Sequence, residues 1–235
     1  MLNVLRASTV VTFIYMTKPK QERSEITKAN ILKVARLHFA ERGFDASNTR
    51  DIAKDAGASH SMIRYHFGTK EELWKNAISD MFADFRQQLG FDGANPPTLQ
   101  SKSEFKEFIR KYIHYCALNP EHSRIMITES IRGGSRLKWM VEELIKPVHQ
   151  HYLGVLSHHI SEHHLPDAWL VSLMSMIMAM CQMPFVLASE INLTYGVDML
   201  ATPAIEAHID SVLAVLFHDT PERQLPWPEI NFAEK

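Results

Sequence analysis

The stretch "SHSMIRYHF", residues 59 to 67, gathers side chains that could read or neutralise a polyanion. Arg64 offers a planar fork that matches a guanine edge or a phosphate. His60, Ser61 and Tyr65 add imidazole and hydroxyl groups. At helical spacing Met62, Ile63 and Phe67 fall on an inner, apolar face, leaving His60, Ser61, Arg64 and Tyr65 on the outer one. A run this short is not stable alone. Its polar face therefore reads either as a surface meant for a partner or as the solvated side of an ordinary three-helix core. Lys70, at the start of the next helix, suits a phosphate, because backbone N–H groups and positive charge converge there. Thr49, at the start of the preceding helix, is placed likewise.

Other constellations are weaker. "HQHYLGVLSHHISEHH" holds His149, His151, His158, His159, His163 and His164. His159 and His163, four apart, share a helix face and could hold a metal, although no HExxH order is present. Exposed surface histidines are the expectation, with no metal site. No GxSxG, P-loop or dinucleotide fingerprint occurs, so no enzyme and no cofactor is expected.

The elements that must position these residues are helical. The chain has 235 residues, 46% hydrophobic and 22% charged, with only 9 glycines and no recurrent alternation of apolar and polar residues. Two cysteines, Cys116 and Cys181, make no disulfide framework, which fits a reducing cytoplasm. The net charge of -2 hides an asymmetry. Residues 17 to 80 hold 12 Lys and Arg against 9 Asp and Glu, and residues 81 to 235 hold 12 against 18. A basic head on an acidic body fits a protein that meets phosphates at one end.

Spacing predicts a first helix from Thr27 to Arg42, closed by Gly43 with Phe44 folding back, then a loop over "DASN". A second helix follows Thr49 as N-cap and ends at Ala56, where Gly57 permits a sharp turn. Ser59 caps the third helix, His60 to Phe67. Thr69 caps the fourth, with Glu72 at capping-box spacing. Further helices are predicted at 101–118, 121–132, 136–162, 166–191 and 203–218, with a kink or break at Pro147. The segment 166–191 is apolar nearly all round and should be buried on most sides. "MLNVLRASTVVTFIYM" fits neither a signal peptide nor a membrane span. It reads as an accessory tail, with Met16 as an alternative start of translation.

Two short helices joined by a tight glycine turn make a helix-turn-helix, whose second helix enters the DNA major groove. Over residues 24 to 84 the chain resembles the TetR family of transcriptional regulators. The match rests on "ILKVARLHFAERGFDASNTRDIAKDAGASHSMIRYHFGTKEELW". Within it stand Gly43-Phe44, Thr49, Ile52-Ala53, Ala56-Gly57, Ser59, His66-Phe67, Lys70 and Leu73. Two positions depart from the family pattern. Ser61 stands where a glycine is common, and Arg64 where a tyrosine is common, with Tyr65 beside it.

The resemblance implies an all-α chain with an N-terminal helix-turn-helix DNA-binding domain over 24–84. A helical effector-binding and dimerisation domain over 85–220 follows, flanked by tails at 1–23 and 221–235. It implies a cytoplasmic homodimer on double-stranded DNA at a palindromic operator, most simply a repressor released by an unidentified small-molecule effector, with no membrane partner. The DNA-binding set is Thr49, Arg50, Ser59, His60, Ser61, Arg64, Tyr65, His66 and Lys70. Methionine and aromatic side chains suit an adaptable apolar pocket. The candidates are Phe85, Phe108, Tyr112, Met126, Glu129, Trp139, Met140 and Met176, with Glu129, Arg132 and Arg136 able to orient a polar effector or simply solvated at helix ends. The dimer seam is expected from Leu173, Ile177, Met180 and Pro184 with Ile209, Val212, Leu213 and Leu216, unless these form the monomer core. A helical protein-interaction module and a metal-responsive regulator are the alternatives.

Overall fold

The computed structural model describes residues 20–92, 95–160 and 167–217. Most of the two expected tails and the histidines His163 and His164 lie outside them, as do the side chains of His158 and His159. The described residues are helical, with an isolated bridge between Asp92 and Asn95. Two compact units divide between Asp80 and Met81.

The first unit holds α1 (Lys20–Ala46), α2 (Thr49–Asp55), α3 (His60–Phe67) and the start of α4 (Lys70–Gln88). α1 begins earlier than the apolar periodicity suggested, because "KQERSE" continues the helix as a solvated first turn. It bends at Gly43, whose φ of 73° a side chain would strain. A short helical continuation then replaces the expected loop over Asp45 and Ala46. Phe44 folds back, stacking on Phe39 with centroids 6.0 Å apart and meeting Trp74 edge-on at 6.4 Å. Buried Ser47 ties this bend down by donating to the carbonyls of Gly43 and His38 at 2.7 and 3.1 Å. Ile31, Ala35, Ile52, Leu73 and Trp74 are closed off from solvent in the core. Leu37, expected on the apolar face, is 43% exposed because it lies at that face's edge.

The second unit contains the rest of α4, then α5 (Lys102–Leu118), α6 (Pro120–Arg132), α7 (Gly134–Met140), a π turn (Val141–Ile145), α8 (Lys146–Ile160), α9 (Asp167–Val186), α10 (Ala188–Tyr195) and α11 (Thr202–Phe217). α5 opens on a capping box between Ser101 and Glu104. α5, α9 and α11 share a core in which Ile109, Ile113, Cys181, Phe185 and Ile209 are each at most 1% exposed. Burial lifts the Cys181 thiol to about 12 and the Cys116 thiol higher, so both stay protonated.

Both prolines inside the long helices leave traces. Pro147 lacks the N–H that the Glu143 carbonyl would receive, and its ring crowds that carbonyl. The chain does not break there. It widens into the π turn, where the Lys146 N–H reaches the Val141 carbonyl five residues back. Pro184 withholds a donor from the Met180 carbonyl in the same way. His208 on α11 takes over, with Nε2 2.8 Å from that oxygen. A carbonyl only accepts, so this bond sets the Nε2–H tautomer. α9 then ends at Val186, and Leu187 (φ −91°, ψ 11°) separates it from α10. The single predicted helix at 166–191 is therefore two. Nor is it buried on most sides, since Trp169, Val171 and Met176 are 57–60% exposed.

Two outcomes follow. His208→Leu should cost less stability in a Pro184→Ala background than in the wild type, by about 1 kcal/mol, because alanine restores the backbone donor. A double-mutant cycle in urea checks this. Burial also pushes His149 and His208 below the ordinary histidine value of 6.5. The native chain then binds fewer protons than the unfolded one around that pH. Their contribution is full above 6.5 and is lost as pH falls below it. The melting temperature should drop on the acid side, and His208→Leu should flatten the slope.

Candidate functional site

α3 is positioned by three local devices. α2 closes with a Schellman pattern, in which the Ala58 N–H reaches the Ala53 carbonyl at 2.9 Å and the Gly57 N–H reaches that of Lys54 at 3.1 Å. Gly57 has φ 64°, as that turn demands. Asn30 on α1 donates to the Ala56 carbonyl at 2.7 Å, satisfying the end of α2. Ser59 then caps α3, accepting from the Met62 N–H at 3.3 Å.

Inward, Ile63 and Phe67 are 2% and 5% exposed, and Met62 is half-buried. Outward, Tyr65 is 83% exposed, with Ser59, Ser61, Arg64 and Arg50 exposed as well. Among the described residues no ion pair engages Arg64. The polar set is thus displayed with an uncommitted guanidinium near its centre.

Other members of the predicted set are more tied. Thr49 is not the cap of α2. Asn48 is, its side chain accepting from the Arg50 N–H at 2.8 Å. Thr49 and Asn48 are both good caps, and backbone geometry selected the earlier one. The Thr49 hydroxyl instead lies 3.2 Å from His60 Nε2, joining α2 to α3 and holding His60 half-buried. His66 is half-buried, its ring 5.0 Å from that of Tyr65. Lys70 donates to the Asp45 carbonyl at 3.1 Å, with its ammonium 4.6 Å above the Phe44 ring. Thr69 caps α4 as expected, accepting from the Glu72 N–H at 3.1 Å.

The second unit encloses an apolar cavity in two lobes, each of about 70 Å³, that share Phe85, Tyr112, Val148, His149 and Met178. Of the expected lining residues, Phe85, Phe108, Tyr112 and Met126 are there. The other four line neither lobe. Met140 is core, Met176 faces outward at 58% exposure, and Trp139 is half-buried elsewhere. Glu129, 2% exposed, is bound to Arg136 Nε at 3.1 Å. It joins α6 to α7 across the Gly133-Gly134 turn, so it is not a solvated helix end. Gln182 donates to the Tyr112 hydroxyl, and the Tyr115 hydroxyl lies 2.7 Å from His122 Nδ1.

The lining residues missed in the sequence include Phe82, Phe105, Val148, His149 and Tyr152. Val148, Tyr152, Val155 and Leu156 stand at helical spacing, a signal obscured by the surrounding histidines. His149 and His151 are half-buried rather than exposed. Among the described residues no cluster of His, Cys, Asp or Glu is arranged to hold a metal. The expected dimer residues Ile177, Ile209, Val212 and Leu213 are buried in the subunit core, and Leu173, Met180, Pro184 and Leu216 are half-buried.

Residues 31–77 match the family model for bacterial regulatory proteins of the tetR family. The chain is 29% identical over 121 residues to the HTH-type transcriptional repressor NicS of Pseudomonas putida, covering 50% of this chain and 55% of that protein. It is 33% identical over 84 residues to the HTH-type transcriptional repressor KstR2 of Mycolicibacterium smegmatis, covering 34% and 38%. The matches span about half the length of these curated relatives or less. Among solved structures, the putative transcriptional regulator SCO4942 of Streptomyces coelicolor superposes with a TM-score of 0.56 at 19% identity, over 82% of this chain and 97% of that one. FadR of Bacillus subtilis, in complex with stearoyl-CoA, gives 0.54 at 19% identity, over 80% and 96%. These structures share the all-α fold. The helix-turn-helix geometry of residues 48–67 lies inside the family match, so residues 31–77 form a DNA-binding domain of the tetR-family type.

Proposed function

We propose that the chain is a cytoplasmic, homodimeric DNA-binding regulator, a repressor released from a palindromic operator when a small molecule enters the cavity of the second unit. The observation that carries this reading is the outward display of Arg64 and Tyr65 on a helix held by Ile63 and Phe67. Base-edge contacts from α3 give sequence preference, and contacts from Thr49, Arg50 and Lys70 to phosphates give register and affinity. The half-buried His60 and His66 orient α3 and its neighbours more than they touch DNA. That FadR of Bacillus subtilis is found in complex with stearoyl-CoA supports a small-molecule effector.

Dimerisation is supported by a stripe of small and apolar residues that the subunit leaves uncovered. Ser172, Ser175, Met176 and Ala179 recur at helical spacing along α9, and Ser211 and Val215 along α11. The segment Trp169–Val186 has a mean hydropathy of 1.6, long and apolar enough by composition to cross a membrane, yet only 17% of it is buried in the subunit. A second copy laid on this stripe removes that surface from water. In this reading the seam lies one helix face away from the residues first expected.

A gel shift on DNA upstream of the chain's own gene tests the regulator; no sequence-specific binding ends it. Arg64→Ala should relax preference at one base pair per half-site at a cost of roughly 1–3 kcal/mol, while leaving the melting temperature unchanged. Lys70→Ala should weaken binding about uniformly and lower the salt slope by roughly 1. A changed base preference would assign Lys70 to a base instead. Met176→Glu with Val215→Glu should shift sedimentation from dimer to monomer, by placing charges in an apolar seam.

A further inference from the structure

The cavity's walls restrict what can occupy it. Its lobes are lined by aromatic rings, among them Phe85, Phe105, Phe108, Tyr112 and Tyr152. Phe108 lies 4.8 Å from Tyr152 and Phe85 5.1 Å from Tyr115, centroid to centroid. Among the described residues no Asp, Glu, Lys or Arg lines either lobe. Together the lobes approach about 150 Å³, the size at which an apolar cavity admits benzene.

The polar groups differ in their availability. Tyr112 is engaged by Gln182, and His122 by Tyr115. The Tyr152 hydroxyl is buried and has no hydrogen-bond partner among the described residues. Burial raises its pKa, so it remains a donor at neutral pH. His149 lines both lobes, three residues from Tyr152 on α8, so the two project from one side of that helix. Burial lowers the His149 pKa, leaving the ring neutral at neutral pH. An unpaired buried hydroxyl is costly and gains most from a ligand that completes it. An anionic ligand would enter without a counter-charge, and desolvation would oppose it.

Resting on the reading of this cavity as the effector site, we infer that the effector is an uncharged, single-ring aromatic compound bearing one hydroxyl or carbonyl group, which Tyr152 and His149 bind. A long-chain acid is disfavoured, because the lobes are small and no cation lines them among the described residues.

Calorimetric titration of the full chain with p-cresol, toluene and 4-methylbenzoate at neutral pH tests this. p-Cresol should bind most tightly, and 4-methylbenzoate at least about tenfold more weakly. Tyr152→Phe should weaken p-cresol about tenfold and leave toluene unchanged; unchanged toluene binding also reports an intact cavity. Met178→Trp should abolish binding of both by filling the shared wall. The inference falls if p-cresol does not bind, if 4-methylbenzoate matches it, or if Tyr152→Phe leaves p-cresol unaffected. A protein that shifts DNA but takes up no p-cresol defeats the ligand class alone. One that binds p-cresol but no DNA defeats the regulator reading alone.

Discussion

An eight-residue helix forms too few internal hydrogen bonds to repay its nucleation, and α3 exists only because its surroundings supply the difference. The Ser59 cap satisfies an orphan donor at its start. The Thr49–His60 bond ties it to α2, and Ile63 and Phe67 anchor it in the core. All of this support comes from one side and from the ends. Arg64 and Tyr65 face away from the anchoring core, whereas the Ser61 hydroxyl lies 2.7 Å from that of the capping Ser59. The exposed positions can therefore change to suit a different DNA sequence without altering the geometry that presents them. A chain of the same fold can thus have arginine where its relatives commonly have tyrosine.

The second unit solves a different problem. Its long helices contain prolines, and each removes a backbone donor, which is costly where the orphaned carbonyl is packed against another helix, as at Met180. At Met180 the solution is a side chain from another helix, His208, which also locks α9 against α11. At Pro147 the solution is geometric, a turn widened by one residue. The π turn advances α8 by a fraction of a turn relative to a regular continuation. Leu144, Ile145, Val148 and His149, which span the change, all line the same lobe. The cavity wall is thus partly a consequence of accommodating one proline.

Local signals made the first unit legible in the sequence. Gly43-Phe44, Ala56-Gly57, Ser59 and Thr69 act on neighbours a few residues away, and the bends and caps they predict are present. Asn48 and Thr49 carry the same capping signal; Thr49 is the expected cap of α2, and the geometry gives that role to Asn48. The second unit was legible as helices but not as faces. α9 is apolar nearly all round, so nothing in its own pattern says which side meets α5 and α11. Ile177 was assigned to a seam and belongs to the core, while Met176, one position away, was assigned to a pocket and points outward. One residue on a helix is a rotation of 100°, enough to exchange interior for surface. Glu129 was misread for a related reason. Charge near a helix end usually means solvent, and its burial depends on Arg136 reaching it across the Gly133-Gly134 turn.

The same limit applies to histidine, which composition alone cannot place. His38 meets the Asp55 carboxylate at 2.8 Å, His60 a threonine hydroxyl, His208 a backbone carbonyl, and His149 an apolar cavity. Sequence context near His149 suggested a metal or plain solvent, because many histidines crowd there. Packing gives the opposite result: among aromatic walls an imidazole loses its charge and becomes a neutral hydrogen-bonding group. Neutrality is then a property of the site rather than of the residue. A protonated His149 would attract anions into the cavity, whereas a neutral one leaves the Tyr152 hydroxyl and its own ring nitrogens as the selective groups. In the proposed site, the aromatic packing that builds the cavity thus also selects against a charged ligand, leaving one polar substituent to distinguish ligands of equal shape.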